Sequence, residues 1–199
     1  MKIKESKFLK SVFIDDSEVL FDNRNEIVFV WRSNVGKSSI MNALMHKKDL
    51  VKTSSKPGKT KTANIFMVNN KYYFTDLPWY WFAKLWKDVL EKLDALISWY
   101  LEARIENIKK VVMLIDTKIW PQQADIDMYK FILDLGIPVV IVLSKVDRLS
   151  KNEIHKSKIL ASEIFFWQDI FSISSTKNIG IRELEKYLGD ALGDALEEK

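Results

Sequence analysis

The residues Trp31-Arg32-Ser33-Asn34-Val35-Gly36-Lys37-Ser38-Ser39 have the types and the spacing to hold a chain of phosphates. They follow G-x-x-x-x-G-K-[ST] at every constrained position but the first, where tryptophan stands in place of glycine. In such a loop successive backbone N–H groups turn inward around the anion, and the helix that follows adds the partial positive charge of its N-terminus. Lys37 is spaced to reach the β and γ phosphates as a point charge, and the Ser38 hydroxyl to ligate Mg²⁺. Glycine suits the loop because it takes positive φ freely and leaves the phosphates room. With Trp31 in that place, the pattern predicts a nucleotide site that is obstructed.

Further groups follow in order. Lys71-Tyr72-Tyr73-Phe74-Thr75-Asp76-Leu77-Pro78 ends an apolar run in an aspartate suited to holding Mg²⁺ through water. Before it, Lys56-Pro57-Gly58-Lys59-Thr60 lies in a polar connection, where Thr60 is placed to close over the γ phosphate and complete the magnesium shell. Ile137–Leu143 delivers Ser144-Lys145-Val146-Asp147. An aspartate there accepts both guanine N1–H and N2–H, a donor pair that adenine lacks, while the Lys145 stem packs along the base. Phe171–Ser175 ends in Ser174 and Ser175, whose backbone is placed to contact guanine O6. Singly, Asp76 reads as a turn residue, Asp147 as a helix cap and Lys145 as a solvated charge; in this order and spacing they read as one guanine-nucleotide site.

The elements that must position these groups alternate. Strand runs at 27–30, 72–75, 111–115, 139–143 and 170–173 are separated by helical stretches, the pattern of a mostly parallel sheet with helices on both faces. Residues 62–68 are expected to add one antiparallel edge strand. The longest helix, over 87–107, places Leu90, Leu93, Ile97, Tyr100 and Leu101 on one core-facing side. A C-terminal helix is expected over 182–199, interrupted near Gly189 and Gly193. No Pro/Gly/Ser-rich linker, repeat or low-complexity stretch divides the chain, so a single domain over 1–199, with residues 1–25 as an N-terminal extension, is the expectation.

These motifs resemble the EngB (YihA/YsxC) family of GTPases, over about 27–188. The most specific pieces are Arg32–Ser39, Ser55–Thr60, Asp76-Leu77-Pro78 with Tyr80, Ser144–Asp147 and Ser174-Ser175. The resemblance implies a Ras-like P-loop GTPase domain that binds GTP or GDP with Mg²⁺ and takes part in assembly of the large ribosomal subunit, with links to cell division and septation. It implies phosphate binding by Asn34, Gly36, Lys37, Ser38 and Ser39, magnesium binding by Ser38, Thr60 and Asp76, and guanine binding by Ser144, Lys145, Asp147, Ser174 and Ser175. Tyr80 stands where Ras has its water-positioning glutamine. Asn34 resembles the asparagine that helps related GTPases bind a catalytic K⁺.

The family pattern has glycine at the positions of Trp31, Trp79 and Trp81, and often at that of Trp120, whereas Trp99 reads as an ordinary helix residue. The backbone N–H at the position of Trp79 normally meets the γ phosphate, and glycine there lets the switch segment swing on hydrolysis. A family scaffold with GTP binding and hydrolysis strongly impaired or lost is therefore expected. The alternative is a working guanine-specific switch, favoured by the intact Lys37, Ser38, Thr60, Asp76 and Asp147. An adenine-specific P-loop enzyme is disfavoured by Ser144–Asp147.

Composition bounds the rest. At 199 residues and 47% hydrophobic, the chain is long enough to bury a substantial core. It has no cysteine, and its two histidines, His46 and His155, show no ligand spacing. Met1–Asp16 is too charged for a signal peptide and no apolar run spans a membrane. A cytoplasmic, monomeric protein without membrane contact is the expectation. The net charge of +4 is concentrated at Lys47, Lys48, Lys52, Lys56, Lys59 and Lys61, a segment suited to ribosomal RNA phosphates.

Overall fold

The computed structural model describes residues 2–14, 23–32, 35–51, 62–78 and 87–194, with the backbone alone for 87–90. Its strands are β1 (Ser6–Val12), β2 (Glu26–Trp31), β3 (Ala63–Val68), β4 (Tyr72–Asp76), β5 (Ile108–Asp116), β6 (Val139–Ser144) and β7 (Asp169–Ser172). Its helices are α1 (Lys37–Leu44), α2 (Lys87–Ala103), α3 (Gln123–Asp134), α4 (Lys151–Ile164) and α5 (Ile181–Ala191). The strands form one sheet in the order β1-β3-β4-β2-β5-β6-β7. β4, β2, β5, β6 and β7 pair in parallel, whereas β3 is antiparallel to both β1 and β4.

The antiparallel strand expected over 62–68 is β3, and β1 from the N-terminal segment lies outside it. A mostly parallel sheet must be covered on both faces, and the side chains divide accordingly. Val28 and Val30 join Ile97, Tyr100, Leu101, Tyr129, Ile132 and Phe165 in one core, whereas Ile27, Phe29 and Trp31 join Ile40, Met41, Leu44, Leu184 and Leu188 in the other. α2 buries Leu93, Leu96, Ile97, Tyr100 and Leu101 as its spacing predicts. The interruption expected at Gly189 is corrected: α5 runs through it, because Gly189 is buried on the packed side, and the left-handed glycine is Gly193 (φ 78°), just beyond the helix.

One polar network lies inside this apolar frame. Glu26 Oε1 accepts from the hydroxyls of Thr75 and Tyr100, the latter at 2.5 Å, and Arg104 Nε donates to Glu26 Oε2 at 3.1 Å. Arg104 Nη2 also donates to the Arg24 carbonyl at 3.2 Å. Glu26 and Arg104 are both 0% exposed. Burial, and then the Glu26 charge, push the Tyr100 phenol well above its ordinary range, so it stays a donor at every physiological pH. The network ties the C-terminal end of α2 to the start of β2 and the end of β4.

Removing one partner of a buried ion pair strands the other charge, a loss of about 3–5 kcal/mol. Urea unfolding at pH 7 is therefore expected to show Glu26→Ala destabilised by about that amount. The double variant Glu26→Gln with Arg104→Met is expected to lose much less than the sum of its single changes.

Candidate functional site

The parallel strands β2, β4, β5 and β6 end together at Trp31, Asp76, Asp116 and Ser144. After β2 the chain passes to β4 on one side and then to β5 on the other, and ligands of open α/β sheets bind at such a reversal, outside the carboxyl ends of the strands. The loop after β2 enters α1 through Gly36, whose φ of 91° is left-handed, an angle that glycine adopts without strain. No side chain caps α1 and its first turn holds no acidic residue. Its first N–H groups and their dipole are thus aimed at the crevice, as an anion site requires.

Lys37, the first residue of α1, reaches back across this crevice. Its Nζ forms an ion pair with Asp76 Oδ2 and lies 3.9 Å from the centroid of the Trp31 ring. The indole is buried, 7% exposed. A cation over an indole face is the strongest of the common cation–π pairs. Burial lowers the Lys37 ammonium from its ordinary value, against the raising effect of Asp76. Burial likewise pushes the Asp76 carboxyl up to about 6, against the lowering effect of Lys37. The charge meant for phosphate is thus held by a carboxylate and an aromatic face.

The opposite end of the crevice is also assembled. Lys145 takes a left-handed backbone (φ 60°), and its Cε lies 3.9 Å from where a Cβ on Gly36 would stand, so its stem crosses the loop. Its Nζ donates to Asp116 Oδ2 at 2.6 Å. Asp147 is exposed, and hydrogen bonding from Ser174, with Thr176 contributing less, holds its carboxyl below the usual range. Ser174 is buried at a bridge to Ile179, Ser144 is buried at the end of β6, and Thr117 Oγ1 donates to the Ser144 carbonyl at 2.7 Å.

The structure therefore gathers Trp31, Gly36, Lys37, Ser38 and Asp76 at one end of the crevice, and Ser144, Lys145, Asp147, Ser174 and Ser175 at the other. Ser38 is buried and Ser39 exposed. Asn34, Thr60, Trp79, Tyr80 and Trp81 lie outside the described residues, as do Lys52, Lys56, Lys59 and Lys61; Lys47 and Lys48 are exposed after α1. Sequence reasoning missed Asp116, the counter-ion of Lys145. Its signal was a strand ending in an acid in the same layer as Ser144, with which it is in register. His46 Nε2 lies 3.1 Å from Glu185 Oε2, a contact joining the end of α1 to α5.

The residues fit Mg²⁺. Asp76 Oδ1 is buried and has no hydrogen-bond partner among the described residues, which leaves an oxygen for a metal-bound water, and Ser38 lies in the first turn of the adjacent helix. Mg²⁺ bound by Ser38 and Asp76 would neutralise phosphate charge.

A sheet with this order, a phosphate loop and a guanine-type end defines the P-loop GTPase class, and the family model described as "50S ribosome-binding GTPase" matches residues 26–145. The chain is 40% identical over 191 residues to a probable GTP-binding protein EngB of Clostridium kluyveri, covering 94% of this chain and 96% of that protein. It is 36% identical over 196 residues to the corresponding Natranaerobius thermophilus protein, covering 96% and 100%. The chain belongs to the EngB family. Crystal structures share its fold: that of a probable GTP-binding protein engB (TM-score 0.72, 24% identity, 85% of this chain and 99% of that one), and that of an Aquifex aeolicus Era variant bound to GDP and aluminium fluoride (TM-score 0.67, 22%, 83% and 56%).

Asp76 is raised from 3.8 to about 6, so its contribution to stability is greatest below pH 4 and is lost as pH rises through 6. Lys37→Ala removes the opposing cation and raises Asp76 further. Thermal and urea unfolding are expected to show this variant losing about 3 kcal/mol at pH 8. At pH 5, where Asp76 is protonated and neutral, the loss should be clearly smaller; an equal loss at both pH values would contradict the coupling.

Proposed function

We propose that this chain is an EngB-type guanine-nucleotide scaffold for assembly of the large ribosomal subunit in the cytoplasm, and that in the sequence as written its GTP binding and hydrolysis are strongly impaired. One observation carries the second half of the reading: the Lys37 ammonium is engaged by Asp76 and by the face of Trp31. To meet a phosphate, Lys37 must leave both partners, and the phosphates must pass an indole where the loop pattern has glycine. Trp79 and Trp81 stand at further glycine positions of the family pattern. The ribosomal half rests on family membership and on the basic segment from Lys47 to Lys61, whose contact with RNA phosphates would weaken steeply with salt. A role in cell division and septation follows from the same family membership.

Guanine selectivity is read from Asp147 beside Ser174, with Lys145 held across the loop by Asp116. That arrangement supports the alternative reading, a working switch, if the loop gives way to the nucleotide. Titration with fluorescent GDP and GTP in Mg²⁺ and K⁺ buffer, with ATP as competitor, decides between the two readings. Weak or absent binding is expected for the chain as written. Trp31→Gly with Trp79→Gly is expected to tighten guanine-nucleotide binding at least tenfold, about 1.4 kcal/mol. An unchanged affinity in the double variant would refute the obstruction.

A further inference from the structure

The tryptophans of this chain do not behave alike. Eight described non-glycine residues have positive φ. Five of them are His46, Asp49, Asn69, Asn70 and Asn178, the residue types that tolerate the left-handed region, and a sixth is Lys145, held by Asp116. The other two are Trp120 (φ 65°) and Trp167 (φ 63°), bulky residues for which this region is a genuine outlier.

Each lies where the local hydrogen bonding asks for glycine. Trp120 N–H donates to the Asp116 carbonyl at 3.2 Å, the five-to-one closure whose left-handed residue is usually glycine. It also precedes Pro121, which drives a side-chain-bearing neighbour toward extended backbone instead. Trp167 is the third residue of a turn closed by Gln168 N–H to the Phe165 carbonyl at 3.3 Å, and positive φ there selects glycine or asparagine. Its side chain is 100% exposed, so packing does not explain it. Trp31 occupies the first glycine position of the phosphate loop. Trp99, by contrast, lies inside α2, packed against the core with its ring 6.3 Å from that of Tyr100. The chain has seven tryptophans and only six glycines, less than half the roughly 7% glycine usual in proteins.

We infer that positions 31, 120 and 167, and with them 79 and 81, are glycine in the protein made by its own cells, because the codon written here as tryptophan is decoded there as glycine. The chemistry of the code allows this in one step. UGA, a stop in the standard code and tryptophan in some variant codes, differs from the glycine codon GGA only in its first base. One reassigned codon would place glycine at every such site together, while a UGG codon at Trp99 stays tryptophan. At 31, 79 and 81 the inference rests on the G-domain reading; at 120 and 167 it rests on backbone geometry alone. Its consequence for function is direct: the native loop and switch regain glycine, Lys37 loses its aromatic partner, and the working guanine-specific switch becomes the native state.

The gene and its product test this. UGA is expected at codons 31, 79, 81, 120 and 167 and UGG at codon 99; UGG at 31, 120 or 167 overturns the inference. In protein isolated from the source cells, tandem mass spectrometry of the tryptic peptides 25–32 and 119–130 is expected to show glycine at 31 and 120, and peptide 93–104 to retain Trp99. Tryptophan at 31 or 120 in those peptides overturns it. The recombinant pair Trp120→Gly with Trp167→Gly is expected to melt several degrees higher than the chain as written, and a lower Tm counts against the inference. Glycine in the peptides without guanine-nucleotide binding by the five-glycine protein would sink the GTPase reading and leave the decoding intact.

Discussion

The Lys37 ammonium is the group on which the phosphate end of this molecule depends. It begins α1, crosses to the end of β4 and lies against the last side chain of β2, so one charge joins three elements. Neither of its partners is neutral in effect. Asp76 holds it by charge at the cost of a carboxylate pushed up to about 6, and Trp31 holds it by the negative face of its ring. A group that is to meet Lys37 must displace a formed pair. The sequence pattern shows the indole at position 31 but not the ion pair that already engages the lysine.

The guanine end has no such conflict. Lys145 is held by Asp116 and its stem crosses over Gly36. Asp147 is exposed and steadied from outside by Ser174 and Thr176. The two ends of the crevice thus hold their lysines differently: Lys37 is engaged by Asp76 and the Trp31 ring, Lys145 by Asp116.

What the sequence made legible was what short-range pattern controls. The strands at β2, β4, β5 and β6 are continuous apolar runs, because parallel strands covered on both faces need them, and the phosphate and guanine motifs lie at their ends. β1 escaped notice because only Ser6 and Val12 of its seven residues are buried, and a register shift between Phe8 and Lys10 breaks the alternation that marks a strand. α5 escaped its predicted break because a buried glycine against the sheet is tolerated in a helix that tertiary packing holds. Asp116 and the Glu26–Arg104 pair escaped because their partners are 29 and 78 residues away in sequence. Left-handed backbone at Trp120 and Trp167 escaped because tryptophan, unlike glycine or asparagine, gives no turn signal.

The two poles of the sheet are linked through adjacent residues of one strand. Thr75 and Asp76 are neighbours in β4 and their side chains leave it in opposite directions, Thr75 to Glu26 among the residues facing α2, Asp76 to Lys37 at α1. Because Thr75 shares the Glu26 carboxylate with Tyr100, and Arg104 closes the same carboxylate from just beyond α2, the end of β4 is fixed by a fully buried network. Asp76 cannot retreat to make room without disturbing that network. A change at position 31 removes the aromatic partner of Lys37 while leaving the lysine, its carboxylate and the helix N-terminus in place.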